Sequence, residues 1–500
     1  MNPLLSSKIV SLKKRSLVGL SVSMSFLVLL LMNSCKKDDS SSQGLPVLST
    51  SSINNISINS AISGGDVTEQ GSSAIISKGI VWGTSSQPTT SLSTKTDEGP
   101  GTGIYTSHLA GLIPSTKYYV RAYATNAAGT AYGNELNFTT DSVMQVDIPE
   151  LDAKITAFMT AYDIAGASLA VSKNGKLVYM KGYGLADKST NEPVSPDNIF
   201  RLASVSKTYT AVAIMKLYQD GKLDLDAKVF GSGSILGEDY GTPPYKPNLT
   251  ALTIRELLQH TSGAWGASTG GDVIDYNPDY TNKQMLDWII DTRPMPSPPG
   301  TVFDYSNINY FILGRIIEKV SGKSYTDFLK TIFTAIGAAN TGFAGKTLSE
   351  RKPSEVAYYG QGTDAQYVYN IAFPRRDADA GIIATAKDLL KLVTAIDGFD
   401  SRPDILNAAT ISQFITPSSV FPGYACGIGR WQAQNLWFND GSLPGTRTWF
   451  MRGDNGMCAA LLLNSRPDTD VNYVFSYAMQ DVVLDVIKNT SYSWQDIDQF

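Results

Sequence analysis

The chain has 500 residues, 42% of them hydrophobic and 17% charged, with a formal net charge of −5. That length exceeds one ordinary core and predicts two or three domains, and the composition is that of a folded, soluble chain. No basic stripe is present, which argues against a nucleic-acid partner. Two histidines and three cysteines without zinc-type spacing argue against a metal site, and no cofactor is expected.

The chain opens with Lys8, Lys13, Lys14 and Arg15, followed by an apolar run over 17–32 that is short for a membrane-spanning helix. It ends at Met32-Asn33-Ser34-Cys35. A small residue before a cysteine, with leucines upstream, resembles a bacterial lipoprotein cleavage box, although Met32 and Asn33 depart from its commonest form. The resemblance implies a signal peptide over 1–34, lipidation at Cys35 and anchorage in the outer membrane, on its periplasmic or cell-surface side. An uncleaved anchor is the alternative. Residues 35–47 read as a polar tether too charged to pack, and their acidic pair after the cysteine resembles a surface-export signal.

Residues 48–141 read as an all-β sandwich, with alternating segments such as 74–82 separated by Gly, Ser, Thr and Pro. The stretch from Leu112-Ile113-Pro114 through Tyr118 to Asn126 resembles the late strands of a fibronectin type III module. The resemblance implies a spacer; contact with a cell-wall component or glycan is the alternative.

From 148 to 490 strand and helix signals alternate. Asn174-Gly175 marks a hairpin turn between apolar strands. Ser204-Val205-Ser206-Lys207 opens a helical run through Tyr218, with Gly221 as its stop. Another helix follows Tyr305-Ser306-Asn307, with Tyr310, Leu313, Ile317 and Val320 on one face and Gly322 near its end. Residues three apart on a helix share a face, so the Lys207 amine reaches the Ser204 hydroxyl as a general base. The helix start favours a developing anion, and Tyr305 would carry the proton to a leaving group. Each motif is weak alone: Ser-x-x-Lys recurs at Ser11/Lys14 and Ser349/Lys352, and Tyr-x-Asn at Tyr132/Asn134 and Tyr280/Asn282. Context distinguishes Ser204 and Tyr305, because each stands at the mouth of an apolar helix.

With Leu257-Leu258-Gln259-His260-Thr261-Ser262-Gly263 and Gly441-Ser442-Leu443-Pro444-Gly445-Thr446, the region resembles the serine β-lactamase-like family of class C β-lactamases, D,D-carboxypeptidases, D-aminopeptidases and esterases. The resemblance implies an α/β (α+β) fold, an antiparallel sheet flanked by helices beside an all-helical lobe, with the site between them. It implies an acyl-enzyme on Ser204, an oxyanion hole from the backbone N–H groups of Ser204 and Ser442, and Asn307 beside the substrate carbonyl. One departure matters. The family's third motif usually begins with a cation facing a substrate carboxylate, and here Asn439 stands there, followed by Asp440 and Gly441. Asn439 therefore tilts the expectation from penicillins toward neutral esters or amides, unless Arg447 compensates.

The expected activity is that of a serine hydrolase cleaving a small ester, amide or peptide outside the cytoplasm. A β-lactamase or D,D-carboxypeptidase is the alternative, and a non-catalytic surface binding protein is the alternative of another class. A Ser-His-Asp hydrolase built on Gly266-Ala267-Ser268-Thr269-Gly270 fails, because no histidine follows Ser268. His260 reads as a hydrogen-bonded structural residue, Trp265 as core or pocket wall, and 377–381 as a turn before a helix. Cys426 and Cys458 read equally as a disulfide or as two buried thiols.

Overall fold

A computed structural model describes residues 44–500, apart from 57–59, 114, 141–146, 267–272 and 278. The expected signal peptide, Cys35 and most of the tether lie outside the described residues, as does Ser268. The chain divides into two compact units at 143/144.

The first unit has strands β1 (Val47–Thr50), β2 (Ser60–Glu69), β3 (Ser77–Gly83), β4 (Gly103–Ala110), β5 (Lys117–Asn126), β6 (Gly129–Tyr132) and β7 (Leu136–Thr139). They form two antiparallel sheets, β1-β2-β4 and β3-β5-β6, with β7 also on β5. Burial alternates along β4, as a strand with one wet face requires. The inward residues of both sheets, among them Ala61, Val67, Leu109, Ile80, Val120 and Ala122, share one core. The expected tether ends earlier than 47. Val47 pairs with Glu69, and the Gly44 carbonyl accepts from Ser72 N at 3.0 Å and from Asn126 Nδ2 at 2.6 Å.

The second unit begins with α1 (Pro149–Ala161), the hairpin β8 (Gly166–Lys173) and β9 (Lys176–Asp187), and the short β10 (Glu192–Pro193) and β11 (Phe200–Arg201). Asn174 and Gly175, at φ 50° and 75°, make the hairpin turn. A helical stretch follows: α2 (Ser206–Gln219), α3 (Pro247–Ala251), α4 (Ile254–Leu258), α5 (Asn282–Thr292), α6 (Asn307–Ser321) and α7 (Tyr325–Ala335). Capping boxes start α4 (Thr253, Glu256) and α5 (Thr281, Gln284), and Gly322 ends α6 in the left-handed region at φ 68°. Then come β12 (Gly342–Phe343), β13 (Tyr359–Gly360), β14 (Ile382–Ala384), α8 (Ala386–Thr394) and α9 (Ala408–Ile415). The chain returns through β15 (Gly429–Trp431), β16 (Leu436–Leu443), β17 (Thr446–Arg452), β18 (Met457–Leu463) and β19 (Ser465–Arg466) to α10 (Val474–Lys488).

The main sheet has seven antiparallel strands in the order β10-β9-β8-β18-β17-β16-β15. On one face, Leu151, Ile155 and Phe158 of α1 and Phe475, Met479 and Val483 of α10 meet Leu169, Met451 and Leu461 of the strands. Each such burial contributes about 2 kcal/mol before entropy is counted. On the sheet, α8 packs against β8 and β18. The unit runs past the expected end at 490. Tyr492 and Trp494 pack onto the same core, and Gln499 N donates to Leu177 O at 3.0 Å. Cys426 and Cys458 are free, buried thiols, each pushed up to about 12 by burial, so the disulfide alternative is not formed.

Candidate active site

Ser204 sits in a turn of 3-10 helix, Ala203–Val205, between β11 and α2. Ala203 has φ 49°, a left-handed conformation that costs an alanine about 1 kcal/mol and must be held from outside. It is. Leu202 N donates to Ile382 O of β14 at 2.9 Å, and Thr448 Oγ1 of β17 donates to Leu202 O at 2.8 Å. Thr446 Oγ1 donates to Arg201 O at 3.1 Å, and Ile382 N to Ser206 Oγ at 3.0 Å. The turn is pinned on both sides.

Lys207, one helical turn on, is fully buried. Its Nζ lies 3.1 Å from Ser204 Oγ and donates to the Asp379 carbonyl at 2.9 Å. The rings of Tyr305 and Tyr310 stand 5.1 and 5.8 Å away. The 377–381 turn thus does more than lead into α8, since its backbone aims the amine.

Tyr305 is 39% exposed beside half-buried Ser204 and buried Lys207, so its phenol is open to a substrate. It is placed by His260, whose ring lies 4.2 Å from the Tyr305 ring. His260 Nδ1 accepts from Ser306 N at 3.1 Å, which puts the imidazole proton on Nε2. The His260 carbonyl accepts from Asp304 N at 2.9 Å, and Ser306 Oγ donates to Trp265 O at 2.9 Å. Burial, then the nearby charge of Lys207, hold the His260 pKa well below the usual histidine range. His260 is therefore a neutral bracket for the Tyr305 segment, and Trp265 is core. Asn307, half-buried, begins α6 two residues beyond the phenol.

Strand β16 passes against the nucleophile turn, and Gly441 is the reason it can. A Cβ at 441 would lie 2.2 Å from Leu202 O, 2.5 Å from Thr448 Oγ1 and 2.9 Å from Ser204 N. The backbone at Gly441 accordingly runs beside Ser204 N.

Asn439 requires a correction. It does not face a substrate, because it is 6% exposed and its side chain is already engaged. Its Nδ2 lies within hydrogen-bond reach of Gly427 O (3.0 Å), Thr208 Oγ1 (2.9 Å) and Ser204 O (3.3 Å), and its Oδ1 accepts from Asp440 N (2.8 Å). The side chain ties β16 to α2 instead. Asp440 projects to the other face, toward α10, where Arg447 pairs with it at 2.8 Å and also donates to Ser476 Oγ at 2.7 Å. Arg447 thus answers Asp440 rather than replacing a cation at 439.

Beside Tyr305 lies an aromatic shelf. Phe303 and Phe421 stack with centroids 4.2 Å apart, and Tyr424 bridges them to Tyr305 at 5.8 and 6.2 Å. Val302, Val420 and Phe421 are exposed along it. Sequence reasoning missed this shelf, because its members come from two distant loops. It also missed Thr448 and the Asp379 carbonyl, the latter a backbone contact that carries no side-chain signal.

The beta-lactamase family model matches residues 151–481. The chain belongs to the beta-lactamase family. Among relatives, protein flp of Staphylococcus aureus (strain N315) is 32% identical over 231 residues, 45% of this chain and 43% of that protein. The match thus spans less than half of that relative's length. Among solved structures, the octameric penicillin-binding protein homologue from Pyrococcus abyssi is 26% identical with a TM-score of 0.56, covering 69% of this chain and 78% of that one. The D-amino acid amidase from Ochrobactrum anthropi SV3 is 25% identical with a TM-score of 0.55, covering 69% and 100%. A class C beta-lactamase from Rhodobacter sphaeroides, 19% identical over 67% of this chain and 99% of its own, shares the fold at a TM-score of 0.51.

Proposed function

We propose that this member of the family is a serine hydrolase that cleaves neutral esters or amides through an acyl-enzyme on Ser204. The carrying observation is the buried Lys207 amine 3.1 Å from Ser204 Oγ, fixed by the Asp379 carbonyl. As Oγ bonds to the substrate carbonyl carbon, the Lys207 amine, acting in its uncharged form, takes the hydroxyl proton. The oxygen that becomes negative is met by the backbone N–H groups of Ser204 and Ser442, with Asn307 beside the carbonyl. The carbon–leaving-group bond then breaks, and the proton passes through Tyr305 to the departing oxygen or nitrogen. Water attacks the acyl-enzyme, the proton returns along the same route, and Ser204 is restored.

The neutral preference is supported by Asn439, which fills the motif's cation position and whose amide is engaged within the protein. The shelf beside Tyr305 favours an apolar leaving group. The D-amino acid amidase neighbour makes D-amino acid amides natural members of a test panel. Cleavage of β-lactams or D,D-peptides is the second reading, favoured by the penicillin-binding protein homologue among the structures. Aryl esters, D-amino acid amides, D-alanyl peptides and a chromogenic cephalosporin, assayed with wild type and Ser204→Ala, separate these readings. Ester or amide turnover that vanishes in Ser204→Ala is the expected result, and cephalosporin turnover as fast as the ester's would overturn the neutral preference. A serine-reactive phosphonate that adds no mass would leave a non-catalytic binding protein. We also propose that Cys35 carries a lipid anchor outside the cytoplasm and that the first unit, fibronectin III-like in sequence, is a spacer; palmitate labelling of wild type but not of Cys35→Ala tests the anchor.

A further inference from the structure

A cavity of 520 Å³ lies away from Ser204, where the 397–406 loop and α9 meet the end of β16 and β17 opposite the Leu443/Thr446 hairpin. Asp397, Asp400, Asp404, Arg430 and Arg452 all line it, over a floor that includes Trp437, Leu406 and Ile411. Opposite charges sharing one cavity ordinarily close into ion pairs. Among the described residues, none of these five side chains forms one with another.

Asp397, Asp404 and Arg452 are instead engaged by neutral groups, and two nitrogens of Arg430 by none. Arg452 directs Nε at the Asp397 carbonyl, 3.1 Å away, and stacks its guanidinium on Phe399 at 3.9 Å. Asp397 Oδ1 accepts from Phe399 N at 2.8 Å. Asp404 accepts from the backbone of Gly398 and Asp397, yet its Oδ1 is buried without a partner. Arg430 keeps Nε and Nη1 buried without partners. Burial pushes the Asp397 carboxyl up to about 7 and that of Asp404 up to about 6, and lowers both arginines. Charged groups withdrawn from water in this way gain most from a ligand that brings the missing counter-charges. A metal ion is not that ligand, since among the described residues no three acidic, histidine or cysteine side chains converge closely enough to hold one.

We propose that this cavity binds a small zwitterion, an amino acid with an apolar side chain, its carboxylate against Arg430 and its ammonium toward Asp397 and Asp404. The side chain lies on the Trp437 floor, and the volume suits a ligand of that size. The inference does not rest on the reaction proposed for Ser204.

Thermal unfolding of the full chain with L- or D-leucine, with 4-methylpentanoate, which lacks the amine, and with 3-methylbutylamine, which lacks the carboxylate, tests it. Leucine of at least one hand should raise Tm saturably, as a ligand of the native state alone does, and neither half-molecule should match it at equal concentration. Asp404→Asn and Arg430→Gln should each weaken leucine about tenfold or more while unfolding as cooperatively as wild type without ligand. Calorimetry near neutral pH in two buffers of different ionisation enthalpy should show proton release, because a bound ammonium favours the ionised carboxyls. The proposal is overturned if leucine gives no saturable shift, if 4-methylpentanoate alone equals it, or if both variants respond as wild type does.

Discussion

Lys207 and Asn439 are both buried under the nucleophile turn, yet they answer to different chemistry. Among the described residues the amine of Lys207 has hydrogen bonds to Ser204 Oγ and the Asp379 carbonyl, and in the proposed reaction only the first takes part in bond making. Lys207→Met keeps the stem and removes the proton acceptor. We expect kcat/KM for an aryl ester to fall about 10²–10⁴-fold, toward the Ser204→Ala floor, with phosphonate labelling falling in parallel. Asn439→Ala acts on stability first. It strips the donor from Thr208 Oγ1 and one of two donors from Gly427 O inside the protein, and should cost about 2–4 kcal/mol, read from urea unfolding. The Ser204–Lys207 pair was legible in the sequence because three-residue spacing on a helix fixes a shared face. The role of Asn439 was not, because motif alignment assigns a position in a strand and says nothing of which carbonyls wait on its inner side.

The nucleophile turn stands only because two elements far apart in sequence reach it. Short β14 accepts from Leu202 N, and β16 slides past with Gly441 against Leu202 O and Ser204 N. Gly441→Ala places a methyl group where backbone atoms already are, so the strand must back away from the turn. A displacement of that order moves the oxyanion donors, and we expect kcat/KM to fall about 10²-fold, with a smaller effect on KM than on kcat. A near wild-type rate would place the developing negative charge elsewhere. The long elements near the site announce themselves through local chemistry: Asn174-Gly175 turns the β8/β9 hairpin, and Gly221 and Gly322 take the left-handed region at φ 66° and 68° beyond their helices. Strands β11 and β14, two and three residues long, carry no periodicity to read. They exist because the folded chain supplies partners, so their positions come from tertiary pairing alone.

Over the whole second unit, stability should respond to pH through two buried groups of opposite sign. His260 keeps its neutral form far below the pH at which an unfolded histidine, with a pKa near 6.5, takes up a proton. As pH falls below 6.5 the unfolded chain binds a proton that the folded chain refuses, and stability falls by up to about 1.4 kcal/mol per pH unit. Asp397 does the reverse. Its folded carboxyl takes a proton near pH 7, while its unfolded counterpart waits until about 3.8, so stability rises as pH falls between those values. Below pH 6.5 the two slopes oppose each other. Asp397→Asn removes one of them. Urea unfolding at pH 8, 6 and 5 should find this variant more stable than wild type at pH 8, where the buried carboxylate is charged, and losing that advantage steadily on acidification. Parallel curves for variant and wild type would mean that Asp397 ionises as freely inside the protein as in water, and that the loop between α8 and α9 is open to solvent.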